Sequence, residues 1–442
     1  EEKITAEVVQ TFIDKHQALI PRYQRLKDMY EGNHPILHQK DKPDYKPDNR
    51  LVVNFAKYIV DTFNGYFIGI PIKVRHDDPG INALVDDFQR FNDMDDNQAE
   101  LSKMCSIYGH AFEFLYRDEN AEPRCTYSDP MEMFLVYDDT VEEKPLFGVR
   151  YTKDTDGKLK GQVFTRSFEY KLQETDDGII LTDEKPHYFG DVPIIEYIEN
   201  EERQSIFENV ESLINAYNKA LSEKANDVDY FSDAYLKILG AELDEEALQN
   251  IRENRIINLF GDSEQIKNLI VEFMGKPDGD TTQENLLNRI ERLIYQISMV
   301  ANINDEKFGN ASGISLEFKL QPMKNLAAMK ERKFASGMNR RFKMIFKIWE
   351  TLRRVKADEW RNLNYIFTRN IPRNLSEEAD VAGKLSGIVS KETQLSVLSF
   401  VDNPRRELER IQKEEEKRME TYRINDNGDF YTNDGTEQEK VE

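Results

Sequence analysis

The chain has only two cysteines, Cys105 and Cys125, in 442 residues. That is too few for a disulfide framework, and it makes a reducing, cytoplasmic site of synthesis the expectation. Long apolar runs are missing too. Mean hydropathy is −0.70, and no stretch approaches the roughly 18 apolar residues that would span a bilayer. No secretory or lipidation pattern is present, and the chain opens Glu1-Glu2-Lys3 without a methionine, which points to a trimmed chain or a fragment. Positive charge is scarce: 60 Lys and Arg face 83 Asp and Glu, for a formal charge of −23. This excludes a protein that coats nucleic acid by bulk charge, but not one that touches DNA weakly.

Catalytic signatures are also lacking. Gly157-Lys158, Gly275-Lys276 and Gly383-Lys384 each miss the upstream glycine and the following Ser or Thr of a phosphate loop. No G-x-G-x-x-G, H-E-x-x-H or G-x-S-x-G occurs. The six histidines are scattered. His34 and His38 sit four apart, but Pro35 and the Pro-rich run from Asp41 to Asn49 place them in a loop, so neither a metal nor a cofactor is assigned. Paired aspartates recur and could in principle hold Mg²⁺. Asp138-Asp139 with Glu142-Glu143-Lys144 comes nearest to a nuclease-like cluster, yet it lies on one short turn and reads as solvated loop carboxylates.

What is present is ample core material, 39% apolar with 25 Phe and 20 Tyr, in a length that allows two or three domains. Residues 8–31 read as an amphipathic helix with a kink or break at Pro21 and a stop at Gly32. A second helix is expected at 51–63. From Gly65 the pattern is extended, with candidate strands Gly65–Ile72, Ala111–Arg117, Met133–Tyr137, Leu146–Thr152, Gln162–Leu172 and Ile179–Thr182, and a helical interruption at 80–107. This half is a mixed α+β domain.

The character changes at Ser205. Ser205-x-x-Glu208 is a capping box ahead of a helix over 206–231, about 39 Å long. Thr281-x-x-Glu284 is a second, ahead of a helix over 282–302, about 31 Å long. Between them, 235–275 reads strand (Leu236–Leu239), helix (Asp244–Asn254), strand (Ile256–Phe260), strand (Leu269–Phe273). A polar, Gly-containing loop, 303–313, leads into Ile314–Gln321, Pro322 and the longest helical pattern, 324–356. Its apolar stripe is Phe334, Met338, Phe342, Ile345, Trp349 and Leu352. This stretch carries +9 and leaves −32 to the remainder. An extended piece (Asn364–Thr368) and helices near 376–387, 391–400 and 404–422 follow. The tail from Asn425 has the composition of a disordered segment.

Several blocks carry a family likeness. Arg22-Tyr23-x-x-Leu26-x-x-Met29-Tyr30-x-Gly32 is followed by Asn49-Arg50-Leu51-Val52-Val53-Asn54-Phe55-Ala56-Lys57-Tyr58-Ile59-Val60-Asp61. Then come Tyr108-Gly109-x-Ala111-Phe112-Glu113, Val136-Tyr137-Asp138-Asp139-Thr140 and Ala225-Asn226-Asp227 through Ala234-Tyr235-Leu236. Asn304-Asp305-Glu306-x-Phe308-Gly309-Asn310-x-Ser312-Gly313 and Arg369-Asn370-Ile371-Pro372 complete the series. In order and spacing, from about residue 20 to 412, the chain resembles the portal proteins of long-tailed bacteriophages, of the type found in Bacillus siphophages.

The resemblance implies an α+β portal fold. It implies a wing at 1–204, stem helices at 205–234 and 277–302 around a small α/β clip at 235–276, and a tunnel-loop region at 303–323. A long kinked wing helix with a return strand (324–375), a helical crown (376–424) and an acidic tail (425–442) follow. It further implies a non-enzymatic ring, typically of twelve subunits, at one capsid vertex. That ring passes double-stranded DNA and docks a large terminase motor and a head–tail adaptor. It meets capsid and scaffolding proteins, is assembled in the host cytoplasm, ends in the virion and involves no membrane. The phosphate loop would then belong to the motor.

A channel that lets DNA slide should not bind it, because twelve copies of a basic lining would trap a duplex carrying one charge per about 1.7 Å. Glu208, Glu211, Asp244, Glu245 and Glu291 are therefore candidate channel-lining acids. Phe308, Gly309, Asn310, Ser312 and Gly313 are the candidate tunnel loop, where Gly309 and Gly313 relieve backbone restriction. Lys307 and Lys319 are candidate phosphate contacts. The basic helix has two readings, facing DNA inside the head or neutralising acidic surfaces of its own or adjacent subunits. The second is preferred, because so acidic a chain needs internal compensation to close a ring. The alternatives are a Mg²⁺-dependent phage nuclease built on the Asp138–Glu143 cluster, and a helical scaffolding or adaptor protein that forms no ring.

Overall fold

In a computed structural model of the chain, residues 4–43, 46–232, 236–239, 270–273, 280–303, 313–371, 375–398, 400–401 and 403–426 are described. They fall into two compact units, Glu1–Asn370 and Ile371–Glu442.

Unit one begins with α1 (Ala6–Gln17) and α2 (Ile20–Glu31), so the helical pattern expected over 8–31 is broken near Pro21 rather than kinked there. Pro21 lies in the first turn of α2, where a missing amide costs no hydrogen bond, and Gly32 closes that helix in the left-handed region at φ 88°. Next, α3 (Phe55–Ile68) is capped by the Asn54 side chain, which accepts from the Lys57 amide. The strand expected from Gly65 is instead the last turn of this helix. Phe55, Ala56, Ile59, Val60, Phe63 and Phe67 are all buried at helical spacing, and this face outweighs the local strand preference of Tyr66, Phe67 and Ile68. The strand that follows, β1 (Lys73–Arg75), is short. The helical interruption resolves into α4 (Pro79–Phe91) and α5 (Met94–Tyr108).

Eight strands follow: β2 (His110–Arg117), β3 (Pro123–Ser128), β4 (Met133–Tyr137), β5 (Pro145–Lys153), β6 (Leu159–Phe164), β7 (Phe168–Thr175), β8 (Gly178–Pro186) and β9 (Ile194–Ile198). They form a three-stranded sheet, β3-β2-β9, and a five-stranded antiparallel meander, β4-β5-β6-β7-β8. The expected strand Gln162–Leu172 is in fact two. The chain reverses at Thr165, whose amide donates to the Phe168 carbonyl and whose hydroxyl accepts from the Phe168 amide. Strands β3 and β9 were not anticipated. Val9 and Ile13 of α1 cover one face of the meander together with Phe134, Val149, Val163 and Leu172. On the other face, Phe112, Phe114 and Ile194 of the smaller sheet pack on Met133 and Phe164.

The remainder of unit one contains α6 (Glu211–Ser232), β10 (Leu236–Leu239), β11 (Ile270–Phe273), α7 (Asp280–Ser298), α8 (Gly313–Thr351) and β12 (Asn364–Ile366). β12 pairs with β1. α8 has 39 residues and is about 58 Å long at 1.5 Å per residue. It starts well before the expected position and runs through Pro322. That proline is on the exposed side, so water can satisfy the Phe318 carbonyl it leaves unpaired, while Leu320, Met323 and Ala327 keep the packed face continuous. The helix ends at Thr351, leaving Leu352 of the expected stripe beyond it.

Unit two holds α9 (Leu375–Leu385), α10 (Lys391–Ser396) and α11 (Pro404–Asp426). Ser390 caps α10 by accepting from the Thr393 amide, and Pro404 opens α11 as expected. Most of the tail from Asn425, and the helix and strand expected at Asp244–Phe260, lie outside the described residues.

Candidate functional site: the helix pair and the basic helix

α6 and α7 run antiparallel. Lys224 pairs with Glu284, and Asp227 accepts from Gln283 at 3.0 Å. Ile214, Leu287, Ile290 and Ile294 are the buried apolar residues of the pair. Strands β10 and β11 pair antiparallel between the two helices in sequence, Leu236 opposite Phe273 and Leu239 opposite Ile270. The pair therefore brackets a small element containing strands.

The start of α6 is tied to the N-terminal helices. Ser205 donates its amide to Glu208 (3.1 Å) and accepts from Phe207 (3.4 Å), so the capping box forms, although its first turn, Glu208–Val210, is 3₁₀. At the second box the outcome differs. α7 already starts at Asp280, which puts Thr281 inside the first turn, and Glu284 reaches across to Lys224.

Three of the candidate lining acids can be located. Glu208 is clamped by Arg22 at 2.6 and 2.9 Å; burial opposes its charge, but the Arg22 hydrogen bonds prevail and hold its carboxyl below the usual range. Glu211 has Arg25 at 3.3 Å, yet burial pushes its carboxyl up. Glu291 is half-buried on α7, 3.5 Å from the Asn302 amide. The first two thus engage arginines of α2. Asp244 and Glu245 lie outside the described residues.

Lys307, Phe308, Gly309, Asn310 and Ser312 also lie outside them. Gly313 is the first residue of α8, and Lys319 is in its second turn. The segment leading to the loop is well anchored: the Tyr58 hydroxyl accepts from the Ile303 amide at 2.9 Å, and the Ala301 amide donates to Met323 Sδ at 3.2 Å.

The basic stretch is largely paired inside its own chain. Lys330 Nζ, 1% exposed, lies 2.6 Å from Glu199 and donates to the Ser102 carbonyl and Ser106 hydroxyl at 2.9 and 2.8 Å. Arg341, fully buried, donates through Nε to both oxygens of Glu113 at 2.9 and 2.8 Å, and Tyr197 donates to the same carboxylate at 3.1 Å. Arg340 meets Asp191 at 3.7 Å, Lys333 meets Glu201, and Arg354 meets Glu122 at 2.5 Å. Within the helix, Lys324 pairs with Glu317 and Lys347 with Glu350. Arg332, Lys343, Arg353 and Lys356 form no ion pair among the described residues. Own-chain neutralisation thus accounts for seven of the eleven cations.

Sequence reasoning missed one polar knot nearby. Glu196 of β9 accepts from Arg203 (2.7 and 2.9 Å), His110 Nδ1 (2.6 Å) and Tyr137 (2.6 Å), while the Tyr23 hydroxyl meets His110 Nε2 at 2.9 Å. Burial raises the Glu196 pKa, but Arg203 and His110 together outweigh it and hold the carboxyl far below its usual range. The only local signal was a histidine directly after Gly109 at a helix end. Its partners are about 90 residues away and carry no local pattern.

The nuclease alternative does not assemble. Asp138 is consumed in its own loop, accepting from the Thr140 amide and hydroxyl and the Lys144 amide at 3.2, 2.7 and 2.9 Å. Among the described residues no three His, Cys, Asp or Glu side chains converge as metal ligands. His34 flanks and His38 ends a 3₁₀ turn, where His38 meets Asn33 at 2.5 Å. No described helix is long and apolar enough to cross a membrane.

A family model described as "Phage portal protein, SPP1 Gp6-like" matches residues 9–421. The chain is 28% identical over 402 residues to the portal protein of Bacillus phage SPP1, covering 84% of this chain and 77% of that protein. It is 22% identical over 439 residues to the portal protein of Clostridium phage phiCD119, covering 93% and 94% respectively.

Proposed function

The chain belongs to the SPP1 Gp6-like family of phage portal proteins, and from that premise we propose how its parts serve a DNA channel. It is a structural, non-enzymatic virion component that forms the packaging and ejection channel at the capsid vertex.

The finer assignment is ours. α6 and α7 are the stem, 235–276 is the clip that docks the terminase motor and the head–tail adaptor, and 303–313 is the tunnel loop. α8 is the long wing helix and α9–α11 belong to the crown. The supporting observation is the antiparallel helix pair with β10 and β11 between its members, set between the β-rich region and α8. Twelve copies form the ring, meeting scaffolding and capsid proteins in the host cytoplasm. Its lining is acidic or neutral, and Glu291 is the best-placed acid because the Arg22 and Arg25 side chains do not reach it. Lys307 and Lys319 touch passing phosphates.

Electron microscopy of the purified protein tests the ring: closed particles with a central channel are expected, and compact particles without one would overturn the ring assignment. For the lining, Glu291→Lys should leave rings intact and slow packaging in a motor-driven assay. Unchanged packaging would take Glu291 out of the channel.

A further inference from the structure

A basic concavity occupies one end of the five-stranded sheet. On the face turned away from α1, Arg150, Gln162 and Lys171 stand in cross-strand register, and Lys160 lies one pair along, opposite Gln173. The smaller sheet covers this face around Met133 and Phe164. Beyond that cover the face is open and forms a hollow of about 560 Å³. Neighbouring strands are about 4.8 Å apart, so the three cations crowd within roughly 10 Å of one another. None of them forms an ion pair among the described residues, in a chain with 83 acidic side chains. Like charges placed this way on a sheet repel unless an anion joins them.

An acidic tip occupies the opposite end. The loop 138–144 joins β4 to β5, and β5 then runs nine residues to Lys153, a length of about 27 Å. The loop carries Asp138, Asp139, Glu142 and Glu143 against Lys144. It is stiff, because Asp138 accepts three hydrogen bonds across it and the Glu143 amide donates to the Thr140 carbonyl at 3.0 Å. Val141 at its apex is fully exposed, and Glu142 pairs with Lys144 while Asp139 and Glu143 have no ion-pair partner among the described residues.

We propose that the 138–144 loop of one copy docks into the Arg150–Lys160–Lys171 concavity of the next copy in the ring. The proposal rests on the portal assignment and gives that ring a specific contact. Tip and hollow lie at opposite ends of one sheet, so a chain cannot satisfy both in itself. Such a head-to-tail contact between unlike patches repeats from copy to copy and closes when the rotation allows. Glu169 and Asp183 also line the hollow and limit its net positive charge, which suits a short loop with a few carboxylates better than a duplex carrying one charge per about 1.7 Å. The amides of Gln162 and Gln173 and the hydroxyl of Thr152, by contrast, can both donate to and accept from a polypeptide.

Charge reversal in the full chain tests this. Arg150→Glu/Lys160→Glu/Lys171→Glu and, separately, Asp139→Lys/Glu143→Lys should fold normally by circular dichroism. Each should raise the concentration needed for ring assembly by roughly tenfold or more, because like charges then face each other. Mixing the two variants should restore assembly, since every contact in an alternating ring is again between opposite charges. Rings from each variant at the wild-type concentration would overturn the docking while leaving the portal assignment intact. Failure of the mixture to recover would also overturn it. So would intact rings of the concavity variant that had lost binding to a short DNA duplex. Absence of rings from the wild-type protein would instead remove the assignment, and the docking with it.

Discussion

The crossing of α8 over the three-stranded sheet and the antiparallel α6–α7 pair both join helices through charged residues, yet in opposite surroundings. At the crossing, Arg341–Glu113 and Lys330–Glu199 are at most 3% exposed; Tyr197 donates to the Glu113 carboxylate, and Lys330 donates to the Ser102 carbonyl and the Ser106 hydroxyl. In the helix pair, Lys224–Glu284 sits on the rim, with the Glu284 side chain half exposed. Burial makes the first kind costly to leave half-formed, whereas water can substitute for either partner of the second. The crossing therefore locks the body to its long helix, while the helix pair relies on its apolar stripe.

The sharpest way to break the contrast is at Arg341. Arg341→Ala should destabilise the body by about 3–5 kcal/mol, because it strands the buried Glu113 carboxylate. Urea unfolding followed by circular dichroism would read this as an earlier first transition. A paired replacement by apolar residues, Arg341→Met with Glu113→Leu, should recover much of the loss.

A packing test at the same crossing comes next. A Cβ added to Gly337 would lie 2.5 Å from the Tyr197 ring, so Gly337→Ala should cost about 1–3 kcal/mol by overpacking. Gly383→Ala, which meets nothing within 4 Å on α9, is the control and should be neutral or stabilising by up to about 1 kcal/mol.

Acid should discriminate between the regions as well. The Glu196 carboxyl is depressed in the folded state from its ordinary 4.5, so its contribution is present above that pH and is lost as pH falls toward the folded value. His16 accepts from the Tyr151 hydroxyl and donates to the Pro130 carbonyl. Burial lowers its pKa from 6.5, so stability also falls below that pH as the unfolded chain takes up a proton that the folded chain refuses. Glu196→Gln should reduce the proton uptake on unfolding below pH 4.5 by up to about one, measured by calorimetry across pH. The smallest effect is expected at the rim of the helix pair. Glu284→Gln should change stability by no more than about 1 kcal/mol, and 0.5 M salt should erase most of the difference.

Much of this organisation was legible in the chain itself. The strand Met133–Tyr137, the strands β10 and β11, the helical stretch that holds α4 and α5, and the helices α6 and α7 all follow from local periodicity and turn chemistry. The failures share one cause. Phe67 and Ile68 were read by their own preference, yet they are held in α3 by packing. Pro322 was read as a helix boundary, yet it is tolerated because it faces water. At the site, sequence picked out the acids of the helix pair but not their engagement. Arg22 is 186 positions from Glu208, a distance at which no periodic pattern operates.

The sequence by itself determined the charge balance, the two amphipathic helices around a small strand-containing element, and the ordered blocks that mark the family. Only the tertiary structure decided which charges are spent internally. Lys333 finds Glu201 across 132 positions and Arg354 finds Glu122 across 232, so the cations of the basic stretch are for the most part neutralised within their own chain, by partners that no local pattern names. Whether a charge is buried and paired depends on what the fold brings within about 4 Å of it, and that is a property of the packed chain rather than of any local stretch.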